Sequence, residues 1–476
     1  MINLLKKYYI HIILLFCVIS AGKFLYRDLW FDEALTVLNF ATLPNVESIY
    51  QNYVIPNNHI LYTCFLHYWL KFAPLTLDLD FYLRLPSLLF AIFTLILIWK
   101  YFKQQCLKEN LLIICICLCL SSIFAIYSTA IRGYLASTFA ATLTLIAAIK
   151  YAKNSSIKNG FIYLITAILT IGIIPGNLAA LGANAIFAAR YCKNNPLKRV
   201  SFYLLGIIPV IAFGIFYIPI WDKLIKCSQL GEGWHNRTLV LFVLFIGLCT
   251  CGNLTSMIFL YRDIAKAITK GKYFNLITSL IIIIIPIIMV FAFKVAPFPR
   301  VFIPFIPLMC VISSLGLKDL KAILKKNKIS YKYLGFGLII ITFILNSSFL
   351  REQFCQISGG PKVDDFFNCY YIRKNHQINE TIKTIMNLKE NEEIEGIYLS
   401  FNSDPWPFMY YANINNLGCK NYLFDGPRGK VAKLSNNYLV VLEKEENPKI
   451  IEDRFDIKLT QKATTSKHLI FEVKMR

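Results

Sequence analysis

NHILYTCFLHYWLKF, residues 58–72, is the stretch on which the topology turns. It is apolar enough to cross a bilayer. Its placement fixes which way every later loop faces. On either side lie other apolar runs. The first runs from about Tyr8 to Tyr26, behind Lys6 and Lys7, and no small-residue cleavage site follows it. Ten more lie near 85–99, 110–127, 133–149, 160–174, 177–190, 200–221, 238–260, 274–293, 301–317 and 333–350.

Counting from a cytoplasmic N-terminus, and leaving 58–72 as a helix lying on the outer surface, the even-numbered gaps collect the cations. They hold Lys100, Lys103 and Lys108; Lys150, Lys153 and Lys158; Arg190, Lys193, Lys198 and Arg199; Arg262, Lys266, Lys270 and Lys272; and Lys318, Lys321, Lys325, Lys326, Lys328 and Lys332. Acids there are few. If 58–72 crossed, all of these loops would face outward, against the inward bias of Lys and Arg. The expectation is a polytopic α-helical membrane protein with about eleven transmembrane helices. Its N-terminus is cytoplasmic, and a long first external loop covers 27–84, with surface helices.

Composition agrees. Of 476 residues, 56% are hydrophobic and only 16% charged, with a mean hydropathy of +0.53. No single soluble core hides that much apolar surface. The formal net charge of +22 falls in loops between apolar runs, which suits an anionic leaflet and excludes a nucleic-acid partner. Most of the 14 cysteines, Cys115, Cys117 and Cys119 among them, sit inside apolar runs without metal-ligand spacing. Cys355, Cys369 and Cys419 lie in the polar tail, where an oxidising space would allow a disulfide. That tail, 351–476, mixes charges of both signs. A helix over 376–390 and strands over 396–400, 437–442 and 468–474 make it a small extracytoplasmic α/β domain, separate from the membrane domain of 1–350.

Four places carry candidate chemistry. Asp32 and Glu33, in LWFDEALTVLNF, form an acid pair in an apolar setting just past the first helix. Ionised carboxylates there want a cation or a metal, unless they simply favour a helix N-terminus. Asn57, Asn58 and His59 either cap the surface helix or line a pocket. In YSTAIRGY (127–134), Arg132 is flanked by Tyr127 and Tyr134; it either snorkels or binds an anion such as a lipid phosphate, and Arg84 has the same choice. KVAPFPR (294–300) adds Lys294 and Arg300 in a proline-stiffened turn. An acid pair and several cations facing one side of a membrane suit sugar transfer from a lipid phosphate. The alternative is a transporter or flippase for a lipid-linked saccharide, which would favour internal repeats and polar groups at mid-membrane; neither is found.

FDEA (31–34), NNHILYTCFLHYW (57–69), YLRLPSLLFAIFTLILIW (82–99), YSTAIRGY (127–134) and RVFIPFIPL (300–308) together make the chain resemble the GT-C membrane glycosyltransferases. The likeness is to the protein O-mannosyltransferase and lipid A aminoarabinose transferase group, glycosyltransferase family 39-like. The resemblance implies an inverting transfer of sugar from a polyprenyl-phosphate donor to an acceptor hydroxyl at the outer face of the cell membrane. Asp32 would be the base with Glu33 beside it. The acceptor class it leaves open: protein, lipid A or polysaccharide. It requires no cofactor and leaves room for a divalent metal. Thr129 and Ala130 stand where relatives often carry Gln and Glu, and Ile60 where many carry Pro.

Overall fold

The structure is a computed structural model that describes residues 8–53, 55, 58–74, 78–192, 195–229, 252–292, 299–328, 333–346, 377–390, 394–400, 405–419, 421–424, 431 and 433–476. Lys294 and Asn57 lie outside the described residues, as do Cys355, Cys369 and the first part of the 238–260 run. The chain forms two compact units. One is Met1–Leu25 with Leu43–Tyr370; the other is Tyr26–Thr42 with Tyr371–Arg476.

The first unit is helical. The described apolar runs are helical, because a backbone that cannot reach water must bond within its own segment. Four helices among the described residues are long and apolar enough to cross a bilayer: Leu79–Phe102, Tyr134–Lys153, Pro196–Lys226 and Arg300–Lys326. Leu79–Phe102 shows how such a helix is delimited. Asp78 caps it by accepting the Phe81 N–H at 2.8 Å, and Lys100 sits in its last turn, where a cation suits the helix dipole. Its 24 residues rise about 36 Å, more than the ~30 Å hydrocarbon layer. The helix over the pivotal stretch, Ile60–Lys71, has 12 residues and rises only about 18 Å. It is clasped to Leu79–Phe102: Trp69 stacks on Tyr82 at 4.8 Å, the Trp69 indole N–H donates to the Tyr82 carbonyl, and the Tyr82 hydroxyl to the Trp69 carbonyl.

Tyr134–Lys153 is the hub. It packs on Ile157–Ile173, Leu79–Phe102, Asn177–Ala188 and the 3-10 segment Pro299–Phe305. Of its span 72% is buried inside the protein, against 17% for Pro196–Lys226. Between apolar helices no hydrophobic drive exists, so small and polar side chains hold the hub. Asn177 donates to Ser137 Oγ at 2.9 Å, Asn184 to the Ala141 carbonyl at 3.1 Å, and Thr144 meets Thr170 at 3.1 Å. The 110–127 run is not one helix but two, Lys108–Leu120 and Ser122–Tyr127, broken at Ser121. Asn346 Oδ1 accepts the Ser122 N–H at 3.0 Å, satisfying a buried donor at the break.

At the helix ends that carry the basic clusters, Asp263 is buried among cations. Arg190 reaches it at 2.9 Å and Arg262 at 3.2 Å, and Ser279 donates to it at 2.8 Å. Arg190 also donates to Thr278 and to the Asn275 carbonyl, while Arg262 pairs with Asp319 at 3.0 Å. Four helices (Asn177–Ala188 through the adjoining turn at Ala189–Tyr191, Gly252–Lys270, Tyr273–Ala292 and Ile306–Lys326) contribute to this one network.

The second unit is a mixed sheet with helices. Its strands are β1 (Gly396–Leu399), β2 (Asn421–Phe424), β3 (Tyr438–Glu443), β4 (Ile457–Thr464) and β5 (His468–Met475), in the order β2-β1-β3-β5-β4. β1 lies parallel to β2 and β3; β5 lies antiparallel to β3 and β4. A parallel step needs a crossover, and the Pro405–Ile414 helix supplies it between β1 and β2. Tyr398, Val440, Leu442, Ile457, Phe471 and Val473 form the core of one face. The Ile378–Lys389 and Pro448–Phe455 helices complete the tail.

Candidate functional site

The sequence places two groups of residues under suspicion, and they fall in different units. In the helical unit the buried turn before the hub helix organises the cations. Ser128, Thr129, Ala130 and Ile131 are all 0% exposed and Arg132 1%. A buried turn must satisfy its backbone locally. Ser87 donates to the Ala130 carbonyl at 2.5 Å, and the Tyr62 hydroxyl meets Ser87 at 3.2 Å, so two helices hold the turn. The Gly133 N–H donates to His59 Nδ1 at 2.7 Å. A Cβ at 133 would stand 2.8 Å from His59 Cβ, so only glycine permits this approach.

That bond assigns the His59 tautomer. Nδ1 accepts, so a neutral ring carries its proton on Nε2. Burial first, then the charges of Arg132 and Arg300, hold the His59 pKa well below the usual 6.5, so the neutral ring is the one present. Arg132 Nη2 stands 3.4 Å from Nε2. Both atoms bear protons, so they do not bond one another; together they offer two donors to an acceptor oxygen. Tyr134 lines the place, with its ring 4.7 Å from His59 and 5.7 Å from the Arg132 guanidinium carbon. Tyr127 packs edge-on against Tyr134 at 5.0 Å. The half-buried Arg300 brings its charge to the same place.

Two further candidates bond the scaffold. Arg84 is 0% exposed and donates to the Leu25 carbonyl at 3.3 Å. Asn58 donates to the Ile49 carbonyl at 2.7 Å, closing the Val46–Gln51 helix. His59 has a stability consequence. An unfolded imidazole protonates near pH 6.5 and this one below it, so the unfolded chain takes the proton first. Stability present above about pH 6.5 should fall as the pH drops through that value. Thermal unfolding in detergent checks this, with a smaller pH dependence expected for His59→Asn.

In the second unit the acid pair opens a short helix, Phe31–Thr36, continued by a π turn over Val37–Ala41. Glu33 is 0% exposed, and its Oε2 accepts the Trp30 N–H at 3.3 Å, closing the helix start. Asp32 is only half-buried, and its backbone carbonyl accepts from Thr36 at 2.7 Å. The sequence leaves capping and chemistry equally open for this pair. The structure gives the capping bond to Glu33, and Asp32 is the less buried residue of the two. Upstream, Asp28 Oδ2 accepts the Asn379 N–H at 3.0 Å and Tyr411 Oη accepts the Leu29 N–H at 2.8 Å. Sequence reading missed both partners; no local signal joins residues separated by 351 and 382 positions. Among the described residues no three His, Cys, Asp or Glu side chains gather to hold a metal ion.

No protein-family model and no curated protein matches the chain. Solved structures do. ArnT from Cupriavidus metallidurans in the apo state has 9% identity and a TM-score of 0.53, over 98% of this chain and 97% of that one. The same protein bound to undecaprenyl phosphate has 10% identity and a TM-score of 0.52 over the same shares. At such identity the likeness shows the fold. The chain has a GT-C-like polytopic helical architecture with a small C-terminal α/β domain.

Proposed function

We propose that this protein transfers a sugar from a polyprenyl-phosphate donor to an acceptor hydroxyl at the outer face of the membrane. The observation that carries the reading is the donor pair of His59 Nε2 and Arg132 Nη2, 3.4 Å apart in a buried, aromatic setting. An anionic phosphate oxygen answers two fixed N–H groups and a guanidinium charge better than any neutral ligand. The fold adds support, since the similar ArnT is described bound to undecaprenyl phosphate.

In this reading Arg132, His59 and Arg300 hold the phosphate that departs from the anomeric carbon. Negative charge grows on that phosphate as the bond breaks, so fixed donors stabilise the transition state more than the ground state. Tyr127 and Tyr134 keep the guanidinium in place. Asp32 takes the proton from the acceptor hydroxyl while its oxygen attacks from the opposite face, which inverts the anomeric centre. Glu33 fixes the start of the helix that bears Asp32.

The test supplies purified protein in detergent with a panel of polyprenyl-phosphate sugars together with hydroxyl acceptors of the protein, lipid A and polysaccharide classes, and follows consumption of each donor. One donor should be consumed, with free polyprenyl phosphate released. Arg132→Gln should weaken binding of undecaprenyl phosphate by roughly ten- to a hundredfold, the worth of one lost charge-assisted contact. Full affinity in that variant would remove the phosphate from this place.

A further inference from the structure

The helix that bears Asp32 sits early in the chain, yet it is built into the C-terminal unit. It packs on the Pro405–Ile414 helix, with Phe31 edge-on to Trp406 at 6.5 Å and 89°. Two hydrogen bonds pin the backbone immediately before it. The Ile378–Lys389 helix begins at Gln377 in the left-handed conformation, with φ of 49° and no side-chain cap of its own. Its exposed N–H groups need an acceptor, and Asp28 supplies one across the sequence, to Asn379. The Leu29 N–H, on a residue 0% exposed, needs an acceptor as well, and Tyr411 Oη is there at 2.8 Å. Leu29, Trp30, Ala34, Leu35, Val37 and Phe40 are all buried around these bonds. A six-residue helix has no stability alone. These two anchors hold the backbone from which it starts.

We propose that the C-terminal α/β domain is the positioning element of the reaction: Asp28 and Tyr411 lock the acid helix onto that domain, and thereby set the aim of Asp32. This rests on Asp32 being the base, as proposed above. Tyr411 and Asp28 touch neither donor nor acceptor; they act through the backbone they hold. Misplacing a reacting group by about 1 Å can cost on the order of a hundredfold in rate. The domain therefore governs kcat while leaving donor binding alone.

The test uses the full-length protein and the donor that the panel identifies. Tyr411→Phe removes the acceptor of the Leu29 N–H and keeps the ring. It should lower kcat by roughly ten- to a hundredfold, with KM and the affinity for undecaprenyl phosphate within about twofold of wild type. Asp28→Ala should act likewise, and Asp28→Asn, which keeps an acceptor oxygen, should recover most of the rate. Hydrogen exchange should quicken in both disabled variants over residues 29–36. Unchanged kcat in Tyr411→Phe, an effect on KM alone, or unaltered exchange over 29–36 would overturn the inference. A wild-type protein that consumes no donor overturns the functional reading and this inference with it. A working wild type with an indifferent Tyr411→Phe overturns only the positioning role.

Discussion

Asp32→Asn should reduce sugar transfer by about 10²–10⁴, the usual worth of a positioned general base. The amide keeps the shape of the side chain and loses the capacity to take a proton. Its effect on folding is small by comparison. Asp32 sits in the first turn of a helix, where a negative charge contributes only about 0.3–1 kcal/mol through the dipole. A thousandfold loss of rate corresponds to about 4 kcal/mol, so destabilisation alone does not account for it. Glu33→Gln makes the contrasting case. Its carboxylate is buried and engaged with the Trp30 N–H, so the variant should lose about 0.5–2 kcal/mol of stability and retain most of its rate. Initial rates on the donor, beside undecaprenyl phosphate affinity for each variant, decide between them. An active Asp32→Asn protein would remove the base. A dead Glu33→Gln beside an active Asp32→Asn would exchange the two roles.

Asp263→Ala should destabilise the protein by about 3–5 kcal/mol, the cost of leaving buried charge uncompensated. Asp263 is 0% exposed and answers Arg190, Arg262 and Ser279 at once. Removing it leaves two guanidinium groups facing each other with one fewer counter-charge. The Arg190 side chain is only 10% exposed and cannot turn to water as a surface lysine does. Lys223→Met is the control. Its ammonium group makes exposed bonds that, among the described residues, go to Gln51 alone, so a change within about 0.5 kcal/mol is expected. Unfolding of both variants in mixed micelles measures the difference. A loss below about 1 kcal/mol for Asp263→Ala would show that the network tolerates an unpaired cation.

Much of the helical unit is legible because lipid imposes one rule on every spanning segment. Runs such as 133–149 and 160–174 became Tyr134–Lys153 and Ile157–Ile173 with modest shifts at their ends. The break at Ser121 left no trace, since neither proline nor glycine marks it and the compensating Asn346 lies far along the chain. In the tail, β1, β3 and β5 are apolar runs and read as strands. β2 and β4 are the edges of the sheet, and β4 (IKLTQKAT) is largely polar, so neither gave a pattern. Pro405–Ile414 hides a helix behind two prolines, both of which fit its first turn.

The candidate residues were legible by type, but their partners were not. Nothing in YSTAIRGY says that the Gly133 N–H selects the tautomer of a histidine 74 positions away. Likewise FDEA reads as an isolated motif, although the segment that carries it completes a domain made mostly of the last hundred residues.

That discontinuity orders events during synthesis. Residues 26–42 leave the ribosome early, and the helices that receive them follow more than 330 positions later. At roughly 5–20 residues per second the wait is on the order of tens of seconds. Throughout it the intervening hydrophobic segments can insert and assemble, while the early helical segment awaits Asn379 and Tyr411. A nascent chain stalled before residue 405 would therefore carry the Phe31–Thr36 helix without Trp406 and Tyr411, the side chains that Phe31 and the Leu29 N–H meet in the complete fold.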